Sequence, residues 1–315
     1  MVPGLDWVSD QRDRLWGRDA ARCVATGCSP GVTRRRRCGR PDRVANGRGV
    51  DVDACSGGGH RPSLVLAFIV LVPVPTDTKH LFAWQIKPTM SAMVLGSVYL
   101  GGAYFFVRVM VASRWHSVAG GFLPVAAFAT LMGVTTILHW ARFLHGNLAF
   151  WLWVGLYFTT PVLVFAVFLR NQREYASNAD SFPRIGHVAA ATFVAVGAAS
   201  AAMCCFLYLF PARAAEVWPW NLTPLTSRML GAIFVLGVAG IGAWWERRWS
   251  AVRILAQVAG LMLILILIAG VRAHAEFDTS KLLTWLLLGG FVVTVAALTI
   301  FYVQMESHAS AGNGG

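Results

Sequence analysis

From residue 90 onward the chain alternates long apolar blocks with short polar ones. The blocks run at roughly 90–112, 122–143, 148–169, 187–210, 227–245, 251–271 and 282–303. Each is about 20 residues, the length a helix needs to cross about 30 Å of hydrocarbon. Backbone groups in lipid must pair within their own segment, so the pattern predicts seven transmembrane α-helices. Short connections make sequential helices antiparallel. Trp84, Trp115, Trp151, Trp153, Trp218, Trp220, Trp244, Trp245, Trp249 and Trp285 fall at or near the block ends, as an interfacial aromatic belt does. The segment 304–315 reads as a small, polar, mobile tail.

The chain ahead of the blocks has a different pattern. Residues 1–62 lack apolar periodicity and are rich in Arg, Gly and Asp. Such a stretch buries too little apolar surface to offset its ordering entropy, so a disordered tail is expected. It also has the look of out-of-frame translation ahead of a true start. The run Leu64–Val72, closed by Pro73 and Pro75, would make about 14 Å of helix, too short to span. It reads as a hydrophobic stub over 63–75, similar to the apolar region of a signal peptide.

The approach to the first span is repeated before the fifth. Trp84, Pro88 and Gly96 are matched by Trp220, Pro224 and Gly231, with Trp four positions ahead of Pro in both. Downstream, Arg114-Trp115 is matched by Arg248-Trp249, Arg142 and His145 by Arg272 and His274, and Trp151 by Trp285. The offsets are 135 from Gly96 to Gly231, 134 from Arg114 to Arg248, 130 from Arg142 to Arg272 and 134 from Trp151 to Trp285. These landmarks predict two parallel three-helix repeats, 90–169 and 218–303, joined by a central helix at 187–210. An offset of four helices starts both copies from the same side, which makes the repeat parallel rather than inverted.

Composition agrees with a membrane class. Of 315 residues, 56% are hydrophobic and 13% charged, and the mean hydropathy is +0.57; a soluble domain carries about 25% charged residues. The net charge of +12 divides in two. The tail to Arg61 holds twelve Arg against seven Asp, leaving +5, and the remaining +7 sits at block ends, where basic residues mark helix termini. A nucleic-acid partner therefore has only the tail to rest on and is not expected. Arg in place of Lys, with abundant Ala, Val and Gly, suggests a GC-rich bacterial coding sequence. Basic clusters at Arg170–Arg173 and Glu246–Trp249 orient the C-terminus to the cytoplasm of a multi-pass cell-membrane protein.

Candidate chemistry is sparse. The blocks as bounded contain no Asp or Glu, which argues against an ion-coupled carrier. Arg108 and Arg253 lie near block ends and can snorkel. His139, Arg142 and His145 cluster at the end of the second block, with His139 and Arg142 on one helical face. Arg272 and His274 are their counterparts. Together they would form a basic pocket for an anionic headgroup or carboxylate; plain interfacial anchoring is the simpler reading. Paired-His haem ligation fails because His139 and His187 fall at opposite faces of the bilayer. Cys23 and Cys28 are too loosely placed with Cys38 and Cys55 for a zinc site. Cys204 and Cys205 read as packing thiols. Pro161, after Thr159-Thr160, kinks the third helix. Neither a cofactor nor a metal is expected, and no catalytic motif is found. The expectation is a non-enzymatic structural, accessory or lipid-associating component whose partners are the bilayer and other membrane subunits. The alternatives are a facilitator for a small uncharged or anionic solute and, further off, a haem- or quinone-binding redox subunit.

Overall fold

The computed structural model describes residues 67, 71–72, 78–172 and 183–313. The tail at 1–62 with its four cysteines, most of the stub at 63–75 and the loop at 173–182 lie outside these residues. Regular structure among the described residues is helical, apart from one bridge between Arg184 and Arg248. Seven helices are long and apolar enough to cross a membrane. They are α1 (Thr89–Val111), α2 (His116–Leu138), α3 (Leu148–Asn171), α4 (His187–Leu209), α5 (Pro224–Phe234, continued to Trp244), α6 (Trp249–Arg272) and α7 (Leu282–Asn313). The chain is a multi-pass α-helical membrane protein. The face where α1, α3, α5 and α7 begin is called proximal here, and the other distal.

Several boundaries differ from expectation. Helix α2 starts at His116 rather than 122, running through Gly120, Gly121 and Pro124. The glycines are a contact surface and not a loop: a Cβ at Gly121 would sit 2.5 Å from the Phe105 ring. Helix α2 also ends at Leu138 instead of 143. His139 leaves the helix at φ −120°, ψ 25°, and Trp140–Arg142 form a 3-10 turn. Helix α7 runs on to Asn313, so the expected mobile tail is helical over most of its length. Glu306 ties that extension to Arg253 and to the Trp249 indole on α6.

The second half of α5 is a 3-10 helix over Val235–Trp244 rather than an α-helix. Glycine at 237 and 240 explains the change. Positions three apart eclipse in a 3-10 helix and so form one bare edge. That edge lies against α4, where a Cβ at Gly240 would fall 2.6 Å from the Phe193 carbonyl and one at Gly237 would fall 2.4 Å from Ser200 Oγ. Close approach of the two backbones requires Gly here.

Packing is reciprocal. Helix α1 lies on α6, α5 lies on α2, and α2 also touches α6. Helix α3 leans on α2, and α7 on α6. The expected central helix, α4, is peripheral and packs on α5. Its Gly197 and Ser200 do make a close contact, but its other faces are apolar and largely unburied. The densest packing belongs to α1, α2 and α5, while α3 and α7 are mostly exposed to the surroundings. A helix apolar on every face with little protein cover belongs against lipid.

The tryptophans correct the belt reading. Trp151, Trp244, Trp245 and Trp285 are exposed, whereas Trp84, Trp115, Trp153, Trp218, Trp220 and Trp249 are buried in the protein. Position at a helix end set the expectation; the direction of the side chain decided otherwise.

Candidate functional site

The proximal face carries two aromatic nests. In the first, Trp84 lies 5.2 Å from Phe82 and 5.1 Å from Phe143 between ring centroids. In the second, Trp220 lies 5.3 Å from both Trp218 and Phe277. Both nests are pinned by the same hydrogen bonds. The amide of Leu144 donates to the Ala83 carbonyl, and that of Asp278 to the Pro219 carbonyl. Asn147 Nδ2 donates to the carbonyl of Phe82, and Lys281 Nζ to that of Trp218. The Trp151 indole donates to His145 O and the Trp285 indole to Thr279 O. The loops 139–148 and 273–282 pass through the same succession of conformations, a helix end, a 3-10 turn and a tight turn, at a constant offset of 134.

Other landmark residues support these nests. Pro88 and Pro224 stand at the starts of α1 and α5. A Cβ at Gly96 would meet Val72 at 2.6 Å, and one at Gly231 would meet the Tyr208 amide nitrogen on α4 at 3.0 Å. Pro161 lies within α3 and lines a groove of about 580 Å³ shared with Leu123 and Thr130 of α2. The carbonyl of Tyr157, four residues before Pro161, instead packs 3.3 Å from where a Gly133 Cβ would be.

The five residues of the expected basic pocket each make contacts of their own. His139 Nε2 lies 2.6 Å from Arg228 Nη1. Burial, then the charges of Arg228 and Arg142, hold this imidazole below its ordinary value, so the neutral ring accepts from the guanidinium. Arg142 and His145 are exposed, and the His145 ring packs on Trp140 and Phe150. Arg272 is also exposed and donates to the Val72 carbonyl, while His274 faces the Val271 carbonyl of its own turn. The constant loop offset explains the mismatch. It sets Arg142 against Glu276 rather than Arg272, and His145 against Thr279 rather than His274. The helical face that would have joined His139 and Arg142 does not exist, because α2 ends before both.

Glu276 makes a long-range contact that its sequence position did not announce. Its carboxylate accepts from the amides of Thr89 at 3.0 Å and Met90 at 2.8 Å, and from the Thr89 hydroxyl. It thus caps α1 from the loop after α6. The N-terminal amides of a helix have no partner within it, and a carboxylate suits their partial positive charge.

Between the helices runs a cleft of about 1520 Å³. It reaches from Trp218 and Trp220 near the proximal face to Gln172 and Glu246 near the distal face. The walls are mostly Val, Leu, Ala, Phe and Gly, and among the described residues no Lys or Arg lines it. Its chief polar feature is a pair of phenols: Tyr157 donates to the Tyr99 hydroxyl at 3.1 Å, and both side chains are buried. Tyr99 stands ten residues into α1, about 15 Å from its start, near the middle of a bilayer. Gly102 lines the same cleft with open space where a side chain would point.

A second missed feature lies at the distal ends of α1, α6 and α7. Tyr104 donates to Gln257 Oε1 at 2.8 Å, and Gln257 Nε2 donates to the Tyr302 hydroxyl at 2.7 Å. Arg108 Nη1 reaches Gln257 Oε1 at 3.2 Å and the Tyr104 hydroxyl at 3.3 Å. Arg253 pairs with Glu306 at 2.6 Å, and the Trp249 indole donates to Glu306 at 3.0 Å. The signal was present in the sequence as three polar pairs four apart, Tyr104 and Arg108, Arg253 and Gln257, Tyr302 and Glu306. Each pair puts its polar groups on one face of an otherwise apolar helix. Ending the seventh block at 303 hid the third pair.

Compared with families of known proteins, with curated proteins and with solved structures, the chain finds no match.

Proposed function

We propose that the protein is a non-enzymatic, lipid-associating membrane component that admits an apolar chain into its central cleft. The volume and lining of that cleft carry the reading. Pockets for compact small molecules are about 300–1,000 Å³, and this one is larger, elongated and apolar. The lining holds no Lys or Arg among the described residues, and His116 is its one imidazole, which favours a neutral chain over an anionic solute. The phenol pair is the natural contact for a single oxygen of the guest.

The test is native mass spectrometry, with an absorption spectrum of the same sample, of protein purified in mild detergent from its own host. A bound species in the lipid mass range is expected. Gly102→Phe places a ring in open cleft space and should abolish that adduct while leaving the protein folded. No adduct on the native protein, or one indifferent to Gly102→Phe, sinks the reading. A chromophore would replace it with the redox alternative.

The reach of the cleft toward both faces favours one second reading, a facilitator for a small uncharged solute. Solute flux in proteoliposomes that Gly102→Phe blocks would select it.

We also infer that α1–α3 and α5–α7 are two parallel copies, related by an axis along the membrane normal. The matched nests, the constant loop offset and the reciprocal packing of α1 on α6 and α5 on α2 support this. Arg170, Arg184, Arg247, Arg248 and Arg253 on the distal face favour a cytoplasmic C-terminus.

A further inference from the structure

We propose that the distal ends of α1, α6 and α7 form a phosphate site centred on Arg108, occupied by the headgroup of an anionic phospholipid. Arg108 sits three residues before the end of α1, about 5 Å of helix rise, at the depth of the phosphate layer. It is held in place by Gln257 and Tyr104, both neutral. Its Nε is enclosed and has no acceptor among the described residues.

Among the described residues the neighbouring charges do not neutralise it. Arg253 and Glu306 pair with each other, so the network of Arg108, Tyr104, Gln257, Tyr302, Arg253 and Glu306 carries one positive charge in excess. A cation fixed at the membrane boundary without a counter-ion is costly, and a lipid anion is the abundant one at that depth. Guanidinium suits phosphate in charge and as a donor, and with Nη1 on Gln257 and Tyr104 and Nε enclosed, Nη2 is the nitrogen left to donate. A zwitterionic lipid brings its own cation and leaves the excess charge in place; an anionic lipid removes it. This site is separate from the central cleft, because neither Arg108, Tyr104, Gln257 nor Tyr302 lines the cleft.

The experiment reconstitutes the full chain in nanodiscs of phosphatidylcholine with a minority of phosphatidylglycerol. Lipids that survive detergent extraction are then counted by native mass spectrometry. The native protein should retain phosphatidylglycerol in preference to phosphatidylcholine. Arg108→Gln should weaken that retention about fivefold, the worth of one basic residue near the surface. Arg108→Lys should retain an intermediate share, and Arg272→Gln, at an exposed proximal cation, should change nothing. Gln257→Leu, which keeps the charge but frees the guanidinium, gives a second reading of the same site if Arg108→Gln does not insert. Equal retention by Arg108→Gln and the native chain, or no preference over phosphatidylcholine, overturns the proposal. Millimolar inorganic phosphate added in neutral detergent should not compete. If it displaces the lipid in an Arg108-dependent way, the phosphate site stands and its occupant is a soluble anion. Because Gly102→Phe should leave this retention unchanged, failure of the cleft reading and failure of this site are told apart.

Discussion

The beginnings of α1 and α5 pose one problem and solve it differently. Both follow a buried Trp, a stretch of extended chain and a proline, and both sit under an aromatic nest. Both must find partners for amides that the helix cannot satisfy. Helix α5 does so locally, with a capping box in which Thr223 and Thr226 exchange hydrogen bonds. Helix α1 has no side-chain cap of its own at Pro88 and takes the carboxylate of Glu276 from 187 residues away. The position matching Glu276 in the other loop is Arg142, a cation that cannot cap a helix start. The self-sufficient cap of α5 therefore goes with the basic residue opposite it, and the missing cap of α1 goes with the acidic one. A local cap stabilises a helix; a distant one also fixes how two parts of the bundle meet.

The nests give the largest test of this comparison. Trp84→Ala and Trp220→Ala should each cost about 3–5 kcal/mol, as a large buried aromatic does, measured by equilibrium unfolding in bicelles. Their conservative variants should part company. Trp220→Phe loses the hydrogen bond to Ser91 Oγ at 2.9 Å, whereas the Trp84 indole N–H has no acceptor to lose among the described residues. Trp220→Phe should therefore be the worse of the two by about 1 kcal/mol, and equal costs would show that the nests differ less than their hydrogen bonds imply.

The caps come next. Glu276→Gln should cost about 2 kcal/mol, the worth of hydrogen bonds to a charged acceptor, and Thr223→Ala about 1 kcal/mol. A double variant should be additive if the two caps act on separate helices. A Glu276→Gln protein as stable as the native one would mean that α1 is positioned by packing alone.

The smallest effect is the pH response of the His139 contact with Arg228. His139 is held below its ordinary value of 6.5 by burial and by Arg228 and Arg142. The unfolded chain therefore takes up the proton more readily than the folded one. The contribution to stability is complete above pH 6.5 and is lost as pH falls below it. His139→Gln should flatten that part of the thermal-stability profile between pH 7.5 and 5.5; an unchanged slope would place its origin elsewhere.

Much of this was legible in the residues. The seven spans were, because length and apolarity alone decide whether a segment can cross a bilayer. The positions of Trp84 and Trp220 were readable, but not their burial, since the direction of a side chain depends on what packs beside it. The pairing behind the basic pocket differs for a related reason. Arg142 and Arg272 were paired by residue type, while the loops align by conformation, and conformation pairs Arg142 with Glu276.

By itself the sequence determined the membrane class and the number of spans. These follow from hydrophobic length, which acts locally. The tertiary structure alone decided that α4 is peripheral, that Glu276 caps a helix 187 residues before it, and that a cleft runs through the bundle. Those facts depend on which apolar faces meet. In a chain whose helices are apolar on nearly every side, no periodicity marks the face that will be covered, so only the packed bundle reveals it.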